Sequence, residues 1–330
     1  MILRILGLMA LTLSATPAAA LCSGASYEER LSPAQQAELD SAVAAMPFAE
    51  GLTYIATRGE DQITLIGTMH IYDPRLEIIR ARVSGFVRTA ELVMLEATPV
   101  EEAQLQALLA TEPERMFIVD GPTLPEILDE ETWVTLRDAA TARGIPGFLA
   151  AKMQPWYLAL TLAVPPCAME EMLAGATGLD KMIGADATAA GVPLAPLEPF
   201  TTLFDLMGDT TLDEQIEMLE ISMPTEDMQQ AMFVAMLDSY FAEDVGRLWS
   251  LSRIAMQDMP EIDPVEAEAM FLEMQEMLLD TRNRNWIPVI EAALKTRDTI
   301  VVAAGAAHLI GENGLLQLMT DDGWTVQRIP

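Results

Sequence analysis

Basic residues, histidine and cysteine are all scarce in this chain. Its 330 residues include 19 Lys and Arg against 50 Asp and Glu, which gives a formal net charge of −31 at pH 7. A nucleic-acid interface needs clustered Lys and Arg to pair with phosphates, so this balance argues strongly against nucleic-acid binding. It also disfavours binding to anionic membrane surfaces. We interpret the acidity as a solvated protein surface.

The N-terminus lacks an apolar run long enough to cross a membrane, although its first twenty residues differ from the rest. Arg4 supplies a positive charge, Ile5 to Leu13 is apolar, and Ala18-Ala19-Ala20 is a small-residue cleavage pattern. This combination predicts a secretory signal peptide over residues 1–20 rather than a membrane span. We therefore expect a mature protein of residues 21–330 that is periplasmic or secreted and has no transmembrane span.

The two cysteines can form at most one disulfide bond. In an oxidising compartment Cys22 and Cys167 would be able to pair, which would join the mature N-terminus to the middle of the chain. Two positions in a sequence establish neither the geometry nor the proximity that a bond needs. A disulfide bond and two free thiols therefore both remain open.

The only two histidines lie in the same four-residue frame, Gly-x-x-His, at opposite ends of the chain. Gly67-Thr68-Met69-His70 follows the apolar run 63–66, and Gly305-Ala306-Ala307-His308 follows the apolar run 299–304. Such runs predict buried strands, and a glycine at the strand end allows a sharp turn. Sheets of α/β proteins place binding and catalytic groups at strand ends, and imidazole is a common metal ligand and general base. A single histidine after a strand is more often an ordinary hydrogen-bonded residue, but the repeated frame favours one shared site.

Strand-like segments cluster at the two ends of the chain, and helical periodicity fills the middle. The predicted strands are 52–57 and 62–67, which form a hairpin, and 92–96, 299–304 and 324–329. Proline-punctuated helices are predicted from about residue 101 to 295, including one long helix over 264–294. The sequence predicts a single α/β (α+β) domain with a central β-sheet assembled from the N- and C-terminal segments, 50–100 and 296–330, and a large helical middle region. Closure of that sheet would bring the two histidines together.

Two carboxylates also stand at the ends of short extended runs. Glu96 follows Val93-Met94-Leu95, and Glu198 follows residues 192–197. Glu96 could complete a His-His-carboxylate metal set or act as a general base on water, although from position alone a surface carboxylate is an equally good interpretation. Asp180 follows Gly178-Leu179, and we interpret it as the N-cap of the next helix.

The densest cationic segment is Arg282-Asn283-Arg284-Asn285-Trp286. On a helix, Asn283, Trp286 and Ile290 would share one face. The planar guanidinium of Arg282 suits a carboxylate or a developing oxyanion. We assign Arg284 to an ion pair with one of the abundant acidic residues.

These motifs resemble the signature of the TraB/GumN family, which has two Gly-x-x-His motifs, an acidic strand end and an Arg-Asn pair. In this chain they are Gly67 to His70, Gly305 to His308, Glu96 and Arg282-Asn283. The resemblance extends over about residues 50–330. The family is similar to the TIKI metalloproteases of animals and, in fold, to erythromycin-esterase-like and ChaN-like haem-binding proteins.

The resemblance implies a metal-dependent hydrolase. The metal would lie among His70, His308 and Glu96, with Glu198 as a further candidate ligand, and Arg282 and Asn283 would orient or stabilise the oxyanion. Zn, Mn and Co all suit two imidazoles combined with oxygen ligands, and the sequence does not choose among them.

We therefore expect an exported metal-dependent hydrolase that acts on a peptide or small-molecule substrate. Among the hydrolases we favour a peptidase. The metal would lower the pKa of bound water, and Glu96 would accept its proton. The alternative is a non-catalytic periplasmic protein that binds haem or metal through the same histidines. A third possibility is an intact site that is catalytically idle.

Overall fold

The computed structural model describes residues 22–208, 210–221, 225–259 and 262–330. The signal peptide predicted over residues 1–20 lies outside the described residues. The strands are β1 (Thr53–Arg58), β2 (Asp61–Thr68), β3 (Leu92–Leu95), β4 (Leu194–Pro196), β5 (Thr299–Gly305) and β6 (Thr325–Arg328).

The α-helices are α1 (Pro33–Ala45), α2 (Leu76–Thr89), α3 (Pro99–Thr111), α4 (Leu124–Ile127), α5 (Glu130–Ala142), α6 (Gly147–Ala150), α7 (Pro155–Leu162), α8 (Pro166–Leu173), α9 (Leu179–Ala190), α10 (Thr202–Gly208), α11 (Leu212–Ile221), α12 (Glu226–Phe241), α13 (Val245–Gln257), α14 (Pro264–Gln275), α15 (Thr281–Leu294) and α16 (Leu315–Asp321). Short 3-10 turns cover Tyr27–Arg30, Pro113–Arg115 and Ala306–His308, and a π-helical turn covers Glu276–Asp280.

The six strands form one mixed sheet in the order β4-β3-β5-β2-β1-β6. The four strands β4, β3, β5 and β2 are parallel neighbours, whereas β1 is antiparallel to both β2 and β6. The predicted hairpin is confirmed, since Arg58 pairs with Asp61 across a two-residue turn in which Gly59 has a φ of +66°. The α/β fold class with a large helical part is confirmed, and five of the six strands come from the two ends of the chain, whereas β4 comes from the middle region.

The central strands are buried along most of their length because their sequences are almost entirely apolar. All four residues of β3 are buried, as are Ile300 to Ala304 of β5 and Ile63 to Thr68 of β2. Parallel strands of this kind have both faces covered by other elements. Residues of α2, α9, α12, α15 and α16 belong to the same hydrophobic core as the strands.

The helical middle region has a smaller hydrophobic core of its own. It is built from α4 to α7 and α11, around Leu136, Leu158 and Leu219. The extended run before Glu198 forms β4, which adds a strand to the edge of the sheet beside β3. The helical region therefore contributes one of the strand ends that face the site.

The single helix predicted over residues 264–294 is wrong in detail. The segment begins as α14, passes through the π-helical turn Glu276–Asp280 and continues as α15, which contains Pro288. A π turn widens a helix by one residue per turn and often occurs at a functional site. This turn lies directly before Arg282 and Asn283.

Cys22 and Cys167 form a disulfide bond, with their Cα atoms 5.8 Å apart. The bond joins the start of the described chain to α8 and closes a sequence separation of 145 residues.

Within the described residues, none of the helices combines the length and the apolar character that crossing a membrane would need.

Candidate functional site

Four parallel strands end at one edge of the sheet, and each is followed within three residues by a candidate site residue. His70 follows β2, Glu96 follows β3, Glu198 follows β4, and His308 lies in the 3-10 turn that follows β5. The carboxyl ends of parallel strands are where open α/β sheets bind ligands. The pairing of Thr68 with Gly305 sets the two Gly-x-x-His motifs side by side.

Glu96 lies at the centre of the cluster, with its side chain 15% exposed. Its Oε1 lies 3.6 Å from His70 Nε2, and its Oε2 lies 3.9 Å from His308 Nε2. The backbone N–H of Gly305 donates to Oε1 at 2.7 Å, and Arg282 Nη2 donates to Oε2 at 2.6 Å. The structure thus brings both histidines to one carboxylate, as the repeated motif predicted.

Arg282 is bound by a second carboxylate, Glu198, through two parallel hydrogen bonds. Arg282 Nη2 donates to Glu198 Oε1 at 2.6 Å, and Arg282 Nε donates to Oε2 at 3.0 Å. Trp286 Nε1 also donates to Oε2, at 3.0 Å. Both oxygens of Glu198 are therefore engaged, and the geometry favours an arginine-binding role over the metal-ligand role predicted for it. Arg284, by contrast, is exposed and pairs with Glu276, as expected.

His308 is buried and closely surrounded. Its ring stacks on Trp286 with the ring centroids 4.3 Å apart, and its Nδ1 lies 2.7 Å from Asn283 Oδ1. Arg282 Nη1 lies 3.3 Å from His308 Nε2. Asn283 was predicted to act on the oxyanion, but its amide contacts His308 and the carbonyl of Asn313. It is a positioning residue in this geometry.

His70 is the open member of the pair, with its side chain 58% exposed. Asp180 Oδ1 lies 3.3 Å from His70 Nδ1. The interpretation of Asp180 as an N-cap is wrong, because the N-cap of α9 is Gly178 and no side chain caps that helix. Asp180 lies within the first turn, where its carboxylate points to the histidine instead.

Gly178 is a site residue that the sequence did not single out for this reason. A Cβ atom on Gly178 would lie 2.3 Å from the carbonyl oxygen of Met69 and 2.4 Å from His70. The next residue, Leu179, donates its N–H to the same Met69 carbonyl at 2.9 Å. The start of α9 thus packs directly against the backbone of the first motif, and only glycine fits there.

Neither motif glycine makes a sharp turn, and close packing explains one of them. Gly305 has a φ of −47°, and Gly67 does not have a positive φ either. A Cβ atom on Gly67 would lie 3.0 Å from Ala306 of the other motif. A Cβ atom on Gly305 would contact Glu96 Oε1 at 3.4 Å and His70 Nε2 at 3.6 Å. Gly67 thus lets the two motifs approach each other, whereas a Cβ atom at Gly305 would make only ordinary contacts.

The three central groups have shifted pKa values. Desolvation lowers the pKa of His70, but the contact with Asp180 and the charges of Glu96 and Asp180 outweigh it and raise that pKa to about 9. Burial raises the pKa of Glu96, yet His308, His70, Arg282 and the Gly305 N–H together lower it to about 2. Burial lowers the pKa of His308 to about 3. The charge of Arg282 also lowers this pKa, whereas the charge of Glu96 raises it but does not outweigh burial. The cluster therefore combines an ionised carboxylate with one neutral imidazole.

The donor set fits a divalent metal ion in its chemistry and its charge. Each histidine has its Nδ1 beside a side-chain oxygen and its Nε2 towards Glu96, which is the usual arrangement of metal-binding histidines. With both rings neutral, three carboxylates and one guanidinium leave the cluster a formal charge of −2. In the described part of the chain, no three His, Cys, Asp or Glu side chains already have metal-site spacing. Arg282 lies against both Glu96 and His308.

The comparison with protein families matches most of the chain. A sequence model described as the TraB/PrgY/gumN family matches residues 52–328, which include both Gly-x-x-His motifs, Glu96, Glu198 and the Arg-Asn pair. No curated protein matches the chain.

Proposed function

This chain belongs to the TraB/PrgY/gumN family, and we propose that it is an exported metal-dependent hydrolase. The proposal is carried by one observation. Two histidines from opposite ends of the chain present their Nε2 atoms to a single carboxylate at the carboxyl ends of three parallel strands.

The ligands in this proposal are His70 Nε2, His308 Nε2 and one oxygen of Glu96. For His308 to bind a metal, Arg282 Nη1 has to leave His308 Nε2, while its two bonds to Glu198 can persist. Both imidazoles have to be unprotonated at Nε2, so His70 gives up the proton that its carboxylate neighbours favour. A divalent ion bound there would polarise a carbonyl and lower the pKa of a water molecule.

The chain's own residues would supply the remaining chemistry. Glu96 is ionised and faces the cluster, so it can accept a proton from a water molecule and return it to a leaving group. Arg282 is fixed by Glu198 in a bidentate pair, and its guanidinium can stabilise negative charge that develops on a substrate oxygen. The exposed side of His70 is where a substrate can approach.

We further propose that the substrate is a peptide and that the protein works outside the cytoplasm. The disulfide bond between Cys22 and Cys167 supports an oxidising compartment, where such bonds form and persist. The signal-peptide pattern of the first twenty residues also supports export.

The test is digestion of a peptide library by the purified protein with Zn²⁺, Mn²⁺ or Co²⁺ added separately, with products identified by mass spectrometry. We expect cleavage that requires one of these ions and falls about 10²–10⁴-fold in Glu96→Gln. The matched control is Glu77→Gln on the surface of α2, which should cleave at the wild-type rate.

Absence of metal-dependent cleavage with all three ions would contradict a peptidase. In that case a haem titration distinguishes the rival function, because a Soret shift that disappears in His70→Ala would favour a haem-binding protein.

A further inference from the structure

Asp280 is a buried carboxylate that the proposed chemistry does not use. It is 7% exposed, and it lies at the end of the π-helical turn, three residues before Asn283. Its Oδ2 accepts hydrogen bonds from two amides, Gln275 Nε2 at 3.2 Å and Asn313 Nδ2 at 2.9 Å. Asp280 is therefore a buried carboxylate whose two hydrogen-bond donors are both neutral amides.

The hydrogen bonds from Asp280 lead to His308. Asn313 donates its side-chain amide to Asp280, and its backbone carbonyl accepts from Asn283 Nδ2 at 2.9 Å. Asn283 Oδ1 then lies 2.7 Å from His308 Nδ1. Asn283 is only 1% exposed, and its bond to His308 is buried, whereas the two bonds of Asn313 are partly buried.

The direction of every bond in this series is determined. A backbone carbonyl can only accept, so Asn283 must turn its nitrogen towards Asn313 and its oxygen towards His308. An amide oxygen can only accept as well, so the neutral His308 ring must carry its proton on Nδ1. The lone pair of Nε2 is then directed at Glu96 and Arg282.

The hydrogen bonds of Gln275, on the side of Asp280 away from His308, also have a determined direction. Trp249 Nε1 donates to Gln275 Oε1 at 2.9 Å, which leaves Gln275 Nε2 to face Asp280. The π turn lies between Gln275, at the end of α14, and the helix α15. Gln275 is therefore within reach of Asp280, and Asn283 of α15 is within reach of Asn313, the partner of Asp280.

We propose that Asp280, acting through Asn313 and Asn283, fixes His308 in the tautomer with its proton on Nδ1, and is thus a positioning residue of the site. The value of this tautomer for metal binding rests on the proposed function. The assignment of the tautomer does not depend on the proposed function, because it follows from the hydrogen bonds of the protein alone.

Nuclear magnetic resonance of protein labelled with ¹⁵N-histidine tests the proposal, since the chain has only two histidines to assign. The sample is metal-free protein near neutral pH. We expect His308 to show a protonated Nδ1 and an unprotonated Nε2. Asn313→Ala keeps the Asn313 carbonyl but frees it from Asp280, so the hydrogen bond from Asn283 to that carbonyl weakens. The tautomer ratio of His308 should then shift by up to about fivefold towards Nε2–H, the limit set by full loss of that one hydrogen bond.

Further variants separate positioning from a merely structural role. Asp280→Leu should cause the same shift as Asn313→Ala, and Asp280→Asn should restore the wild-type ratio because an amide oxygen can replace Oδ2. Asp258→Leu is the matched control, since Asp258 also accepts from two side chains, Tyr27 and Gln35, in another part of the protein. It should leave both histidines unchanged.

Two results would overturn the proposal. One is a wild-type His308 that carries its proton on Nε2, and the other is a tautomer that Asn313→Ala leaves unchanged. If Asp280→Leu does not fold, Asn313→Ala alone decides the question. In metal titrations, Asn313→Ala should bind Zn²⁺ about 10–100-fold more weakly than the wild type. Failure of the wild type to bind any ion would contradict the proposed function and would leave the tautomer result standing.

Discussion

The two Gly-x-x-His motifs have the same sequence frame and the same position at the end of a parallel strand, yet their environments differ. The side chain of His70 is 58% exposed, whereas that of His308 is 5% exposed. His70 has a carboxyl group, that of Asp180, at 3.3 Å from its Nδ1. His308 has a neutral amide, Asn283, at 2.7 Å and stacks on Trp286.

The difference shows that the frame determines where a histidine lies but not how it titrates. Neighbouring carboxylates raise the pKa of His70, while burial and Arg282 lower that of His308. The buried motif therefore forms the enclosed half of the cluster, and the open motif forms the half that solvent reaches. Each can be altered separately.

The largest expected contrast is in stability. His308→Ala removes a buried, stacked ring and leaves Asn283 Oδ1 without a partner, so the free energy of unfolding should fall by about 2–4 kcal/mol. Above pH 9, where the charge of His70 no longer stabilises the fold, His70→Ala should change it by less than about 0.5 kcal/mol because the ring is largely exposed. Urea unfolding of the metal-free proteins measures both. Equal losses in the two variants would show that the motifs are not structurally different.

A smaller effect is expected where the helical region contacts the open motif. Gly178→Ala places a Cβ atom against the carbonyl of Met69 and should destabilise the protein by about 1–3 kcal/mol. Gly305→Ala meets only ordinary contacts of 3.4 Å or more and should be less destabilising. Thermal unfolding of the two variants provides the comparison, and the reverse order would mean that the contact between α9 and His70 is loose.

The smallest effect concerns protonation and should be confined to one motif. The folded-state pKa of His70 is raised, so its charged form stabilises the fold at low pH, and this contribution is lost as pH rises through about 9. Asp180→Asn should move the pKa of His70 back towards its ordinary value and leave His308 unchanged. Titration of the two histidine signals in metal-free protein measures this. An unmoved His70 would remove Asp180 from the site.

The fold and the central trio of the site were predictable because they depend on local patterns. Short β-branched runs predict buried strands, and the ends of parallel strands in one sheet must meet at the same edge. His70, Glu96 and His308 could therefore be brought together from sequence alone.

The roles of the residues around the trio were not predictable, because each role depends on a contact between positions distant in sequence. Asp180 has the residue type and position of an N-cap, and only the packing of Gly178 against Met69 shows otherwise. Asn283 lies 25 residues from His308, and Asp280 lies 33 residues from Asn313. The π turn is also invisible locally, since the residues of Glu276–Asp280 suit a continuous α-helix.

One titration tests most directly whether the two unlike motifs bind the same metal ion. Zn²⁺ is added to metal-free protein labelled with ¹⁵N-histidine, and the Nε2 signals of His70 and His308 are followed. We predict that both signals shift together and reach their limits at one ion per chain. If the two histidines respond at different ion concentrations, or if only one responds, the account of a shared metal site is contradicted.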